Sequence, residues 1–312
     1  MNHLRSVLLV SAVFVFCAMC KKDPQILPYK TKHVVIVVVD GARYQETWGN
    51  GELTYIPHRA QMSLDGSVLT NFHNNGYTYT NAGHAAITTG YDQVINNTGN
   101  ELPDYPSFFQ YWRKATGAPA EKAWIITTKD KLNVLSDCED SLWTGQYRPM
   151  YDCGVNGPYT GYREDSVTFN HAINIFQTWH PDLVLINFKE PDASGHANNW
   201  TGYLNGIVAT DDYIGRLWDF LQADPYYAGT TTLFVTNDHG RHNDNVQDGF
   251  VSHGDNCDGC RHIELFAIGP DIKQNFTSDE GYELADLPKT VSQIMLFPMS
   301  SGSGRVMQKI LK

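Results

Sequence analysis

The chain has 312 residues, 42% hydrophobic and 18% charged, with a formal net charge of -11 and a pI of about 5.5. No basic block or Arg/Lys stripe relieves that acidic balance, which argues against a nucleic-acid polymer as partner. A small phosphorylated ligand stays open, because bound cations can supply positive charge that side chains lack.

The first twenty residues read as an export signal. Arg5 supplies a positive charge, and an apolar run from Val7 to Met19 follows, short for a bilayer span. The run closes on Cys20, with Lys21, Lys22 and Asp23 directly behind it. This resembles a bacterial lipoprotein signal and implies cleavage before Cys20, export, and a lipid anchor at a membrane. Met19 stands where a small residue is usual, and an ordinary signal peptide with a periplasmic product is the alternative. Residues 21–312 are then long enough for one large domain with a substantial core.

In chain order, His33 to Val39 is β-branched and apolar on both faces, as a central parallel strand requires. Similar runs are Ala123 to Thr127, Leu183 to Phe188 and Thr231 to Thr236, with Ile263 to Ile268 weaker. Helical patterns lie between them at Tyr105 to Thr116, Asp165 to Trp179, Gly206 to Leu221 and Leu284 to Leu296. Strands alternating with helices predict an α/β fold, doubly wound around a mostly parallel central sheet flanked by helices.

Ligands of such sheets collect at the carboxyl ends of the strands. Asp40 follows the first run, Glu190-Pro191-Asp192 follows Leu183 to Phe188, and Asp238-His239 follows Thr231 to Thr236. Adjacent carboxylates repel, so such a cluster is hard to keep unless cations bind it. Imidazole and carboxylate together suit zinc, with other divalent metals open. Asp192 and His196 are four residues apart, which on a helical turn puts both on one side. Taken singly, each has a plainer reading: Asp40 and Asp238 as turn residues, His196 and His253 as loop histidines. The stretch Thr80-Asn-Ala-Gly-His84 reads as the start of a short helix of small residues. A hydroxyl at that end meets unpaired N–H groups and the positive end of the dipole, a prepared place for a phosphoryl oxygen. The plainer reading of Thr80 is an N-cap.

Together these pieces resemble the alkaline phosphatase superfamily, above all its threonine-nucleophile members, the nucleotide pyrophosphatase/phosphodiesterases and the threonine-dependent alkaline phosphatases. The similarity runs through Val-Val-Asp40-Gly, Thr80-Asn-Ala-Gly-His84, Glu-Pro-Asp192-Ala-Ser-Gly-His196, Thr-Asn-Asp238-His239-Gly and Ser-His253-Gly. It implies one metal on Asp192, His196 and His253, and a second on Asp40, Asp238, His239 and the Thr80 oxygen. It also implies attack by Thr80 on phosphorus, a phosphothreonine intermediate and its hydrolysis. His84 matches a position near the nucleophile that is not a ligand. Asn100 resembles an asparagine that touches a phosphoryl oxygen, although Asn96 or Asn97 fits the altered loop as well. Lys129 and Lys131 resemble a basic pair of monoesterases, against the plainer reading of a solvated Lys-Asp-Lys turn.

No Cys-Xaa-Pro-Ser-Arg sulfatase signature is present, which disfavours sulfate esters. Cys138, Cys153, Cys257 and Cys260 make an even set in an exported chain. Proximity favours Cys138–Cys153 and Cys257–Cys260 disulfides, while Cys-Asp-Gly-Cys also reads as half a zinc site without a second such pair. The Asp-, Gly-, Tyr- and Cys-rich stretch 137–158 has no assigned place. The leading expectation is a metal-dependent hydrolase of phosphoric esters. The alternatives are a transferase or mutase, a phosphonate-acting enzyme on the same scaffold, or a surface lipoprotein that binds without catalysis.

Overall fold

The computed structural model describes residues 29–312, so the expected signal and the Cys20 anchor lie outside the described residues. Nine strands form one sheet: β1 (His33–Val39), β2 (Gly66–His73), β3 (Ala123–Thr127), β4 (Met150–Cys153), β5 (Leu183–Phe188), β6 (Thr231–Thr236), β7 (His262–Ile268), β8 (Phe276–Ser278) and β9 (Tyr282–Glu283). Their order is β4-β3-β5-β1-β6-β7-β2-β8, with β9 also beside β2. From β4 to β6 all pairings are parallel; β7 runs antiparallel to both β6 and β2. The doubly wound, mostly parallel sheet expected from the sequence is therefore present.

β1 shows why. All seven of its residues are buried. Side chains alternate across a strand, so Val34, Ile36 and Val38 enter one apolar layer and Val35, Val37 and Val39 the other. Each such side chain contributes about 1.5–3 kcal/mol by leaving water. The first layer is closed by α2 (Thr80–Thr89), α3 (Phe108–Thr116) and α8 (Asp286–Ile294); the second by α4 (Asp165–Trp179) and α6 (Trp200–Ala223). The remaining helices are short: α1 (Pro57–Met62), α5 (Asp192–His196) and α7 (Asp258–Arg261).

Several boundaries differ from the periodicity. α3 begins at Phe108 rather than Tyr105, because Ser107 and Gln110 form a reciprocal capping box. α6 begins at Trp200, six residues before Gly206, where the Asn199 side chain accepts from the Gly202 N–H. β2 was missed because Thr70 and Asn71 interrupt its apolar run and its register shifts between Leu69 and Phe72. β4 was missed because it is a four-residue edge strand.

The expected disulfides require correction. Cys138, Cys153, Cys257 and Cys260 are all free thiols. Cys138 packs in the first apolar layer with Leu135 and Trp143. Cys153 instead ends β4, in the field of Asp130, Asp152 and Arg163. Cys257 and Cys260 meet through an N–H to sulfur contact, not a bond.

Candidate metal centre

Parallel strands put their carboxyl ends on one rim, and the candidate residues arrive there from four neighbouring strands. Asp40 leaves β1, Asp192 follows β5 and opens α5, Asp238 and His239 follow β6, and Lys129 follows β3. Backbone bonds lock these loops together: the Asp192 N–H donates to the Asp40 carbonyl at 3.1 Å. Gly41 takes φ +68°, and a Cβ there would lie 2.9 Å from Asp192 Cβ, so only glycine lets the two loops meet.

Two groups of ligand-type atoms result. In the first, Asp192 Oδ1, His196 Nε2 and His253 Nε2 form a triangle with sides of 3.4, 3.5 and 3.1 Å. In the second, His239 Nε2 lies 3.6 Å from Asp40 Oδ1 and 3.4 Å from Asp238 Oδ2. The histidines are aimed by their other nitrogen. His239 Nδ1 donates to the Gly240 carbonyl at 2.8 Å and His253 Nδ1 to the Thr78 carbonyl at 2.7 Å. A carbonyl only accepts, so both Nε2 atoms keep their lone pairs toward the cluster. Asp40 is steered by the Asn187 amide at 3.1 Å. Asp238 Oδ1 accepts from the His239 N–H at 3.0 Å.

The fit to cations rests on what these bonds leave over. Asp238 Oδ2 and His239 Nε2 are fully buried and have no hydrogen bond, and Asp40 Oδ1 beside them meets only the Lys129 ammonium, at 2.9 Å. Unpaired buried polar atoms of this kind cost several kcal/mol, and the two that converge here with Asp40 make a donor set that suits a divalent ion. The electrostatics agree. Burial, then the neighbouring Asp238, raises the Asp40 carboxyl well above its usual range. Burial would raise Asp192 too, but the adjacent Lys129 ammonium holds it well below. Burial also lowers His239, and pushes His253 down to about 2, so both rings are neutral and ligand-ready at neutral pH.

Thr80 is the first residue of α2 rather than its cap; Tyr79 holds the cap position without a side-chain bond. The Thr80 hydroxyl lies 3.3 Å from Lys129 Nζ, and that ammonium reaches Asp40 at 2.9 Å and Asp192 at 2.7 Å. Lys129 is 3% exposed, which removes the solvated-turn reading. His84 donates to or accepts from no metal-cluster histidine; its Nδ1 bonds the Thr80 carbonyl at 2.8 Å and lies 3.4 Å from Asp238. Gly83 presses on the same loop: a Cβ there would stand 2.9 Å from the Asp238 carbonyl carbon.

Two expectations shift. Asn97 and Asn100 are both exposed, but it is Asn97 that accepts from the Asn81 N–H, next to Thr80, at 3.1 Å and from Lys131 Nζ at 2.9 Å. The asparagine that reaches the start of α2 is thus Asn97, one of the two alternatives to Asn100. Arg241 was not foreseen at all. It is fully buried and its guanidinium ion-pairs with Asp192 while donating to the carbonyls of Phe250 and Val251. Its only sequence signal is its place directly after Asp238-His239-Gly240.

A model of the metalloenzyme superfamily matches residues 122–299, more than half of the chain. A segment of 59 residues is 41% identical to a 2,3-bisphosphoglycerate-independent phosphoglycerate mutase of Mycoplasma pneumoniae, covering 19% of this chain and only 11% of that protein. Among solved structures, murine ectonucleotide pyrophosphatase/phosphodiesterase 5 is similar with a TM-score of 0.65 at 15% identity, over 90% of this chain and 100% of that one. A protein in the alkaline phosphatase superfamily from Vibrio parahaemolyticus is similar with a TM-score of 0.68 at 17% identity, over 93% and 75%.

Proposed function

The chain belongs to the metalloenzyme superfamily, with the fold of the alkaline phosphatase superfamily, and from that premise we propose that it hydrolyses phosphoric esters through Thr80. The observation that carries this reading is the Thr80 hydroxyl at the start of α2, beside the Lys129 ammonium that also holds Asp40 and Asp192, one from each group of ligand atoms. In this reading Asp192, His196 and His253 hold one divalent ion, and Asp40, Asp238, His239 and the Thr80 oxygen the other. Zinc suits both sets. Such ions would supply Lewis acidity toward the phosphoryl oxygens and ease loss of the Thr80 proton.

The protein's own residues do the rest. Thr80 Oγ1 attacks phosphorus, the bond to the ester oxygen breaks and the alcohol leaves, and water then cleaves the phosphothreonine to release phosphate. Lys129 offsets negative charge on the non-bridging oxygens, which favours the dianionic monoester. Burial and the nearby Lys129 pull Lys131 down to about 8, so it still carries charge at neutral pH. It aims Asn97 at the start of α2. The substrate is a small phosphorylated molecule, and residues 21–312 act as one unit.

Hydrolysis of p-nitrophenyl phosphate and bis-p-nitrophenyl phosphate by zinc-loaded protein tests this, with acid-quenched protein searched for phosphothreonine at position 80. A monoester preference and a trapped adduct are expected. Turnover that survives Thr80→Ala overturns the assignment. The short similarity to a phosphoglycerate mutase supports a second reading, transfer of the same phosphoryl group to an acceptor hydroxyl. Phosphate released per ester consumed, measured with and without an added polyol, separates the two.

A further inference from the structure

The loop between His239 and His253 meets a second cluster that the reaction does not use. His242, Asp255, Cys257 and Cys260 each bring one ligand-type atom, and all four atoms lie within 4.8 Å of one another. The four come from the loop after β6 and from the start of α7. We propose that these residues bind a structural divalent cation of the zinc type, separate from the centre at the strand ends.

Three observations carry the inference. First, His242 is 2% exposed, and its Nδ1 lies 3.0 Å from the Asp248 carboxylate, itself held by Ser252 Oγ at 2.6 Å. A carboxylate accepts, so a proton sits on Nδ1 and Nε2 is the nitrogen that faces into the cluster. That is the carboxylate–histidine arrangement that aims metal ligands. Second, His242 Nε2 is buried with no hydrogen bond, although Asp255 Oδ2 stands 3.3 Å away. A lone pair facing a carboxylate oxygen at that range is repulsive unless a proton on Nε2 or, with two thiols in reach, a metal ion lies between them. Tetrahedral zinc with nitrogen, oxygen and sulfur ligands has edges of about 3.3–3.8 Å, which this separation fits. Third, the sulfurs are prepared. Both are free thiols, Cys260 buried and Cys257 half-buried, and the Cys260 N–H points at Cys257 Sγ at 3.4 Å. The Cys257 N–H bonds the other Asp255 oxygen at 2.9 Å, and Oδ2 accepts from the Gln247 amide at 2.6 Å with its second lone pair available to the cluster. Two thiolates, one imidazole and one carboxylate close a four-ligand shell, the mark of a structural site.

Binding there pins the loop that delivers His253. The Gly240 N–H donates to the Cys260 carbonyl at 2.8 Å, the His242 carbonyl accepts from Arg43 at 2.9 Å, and the Asp255 carbonyl accepts from Thr78 Oγ1 at 2.9 Å. The cation thus ties the chain just after His239 to the chain just after His253. Forming the site deprotonates two thiols, and those protons go to solvent.

The test reads metal rather than turnover, so it stands or falls apart from the phosphatase reading. Full-length protein prepared anaerobically is loaded with Zn²⁺, desalted and assayed for metal per chain; Cys257→Ser/Cys260→Ser is expected to hold one equivalent less. Wild type loaded with Co²⁺ is expected to show thiolate-to-cobalt charge-transfer absorption, kept by Asp40→Asn and lost in the double variant. Equal metal content overturns the proposal. So does a wild-type cobalt spectrum without the sulfur band, which decides even where the double variant does not fold. A Cys257–Cys260 disulfide in the anaerobic protein overturns it as well.

Discussion

The two ends of the same central strands handle polar groups in opposite ways. At the amino end, Thr31 Oγ1 donates to Asp271 and meets Thr232 Oγ1, both at 2.7 Å, while His33 and Tyr226 close on Asp182 at 2.9 and 2.8 Å. Every buried polar side chain among these finds a partner. At the carboxyl end, Asp40 and Asp192 share the one Lys129 ammonium, and Asp238 Oδ2 and His239 Nε2 are left over. Identical β-branched strands lead to both ends, so hydrophobic burial does not explain the difference. The closed end is what stability alone asks for. The open end carries a cost that only a bound ligand removes, and that asymmetry separates working residues from supporting ones.

The comparison can be broken in stages. Thr80→Ala should lower kcat on the order of 10³-fold or more while metal content stays unchanged; a smaller loss of turnover in steady-state assays would return Thr80 to a helix-start role. Chelation should abolish activity. Re-adding Zn²⁺ at about a hundred times its Kd should restore it and raise stability by about 2.7 kcal/mol, and Asp238→Asn should lose most of that gain in thermal melts. Lys129→Ala should cost the monoester about 10²-fold in kcat/KM and the diester less, so an equal loss on both would deny it a part in specificity. At the opposite end, Thr31→Val should destabilise by about 1–3 kcal/mol in urea unfolding with kcat/KM unchanged. Smallest is Asp40→Asn in metal-free protein, where stability should hold or rise by up to about 1 kcal/mol. A clear fall there would mean that Asp40 belongs with the satisfied groups.

Much of this was legible in the sequence because strand-end chemistry is local. The runs around Val39, Phe188 and Thr236 predicted parallel strands, and the acids and histidines behind them needed only a common rim to meet. Lys129 was ambiguous for a reason of topology. Its burial depends on β3 lying beside β5, and strand order is not written in any one segment. Asn97 and Asn100 could not be separated, since a three-residue difference in an irregular loop has no periodicity to fix it. Arg241 was invisible because an arginine two residues after a ligand reads as surface until Phe250 and Val251 fold over it. The free cysteines escaped for a similar reason: spacing brings Cys257 and Cys260 together, but whether they bond depends on what else His242 and Asp255 bring.

Gly83 bears on how this scaffold can change. Its missing side chain lets α2 rest directly on the Asp238 carbonyl, so the separation between hydroxyl and ligand loop is set by backbone against backbone. Nothing adjustable lies in that stack. The exposed loops can be rebuilt, yet the helix cannot be re-seated without moving Thr80. On the proposed reading, what the protein accepts can change while the seat of the hydroxyl stays fixed.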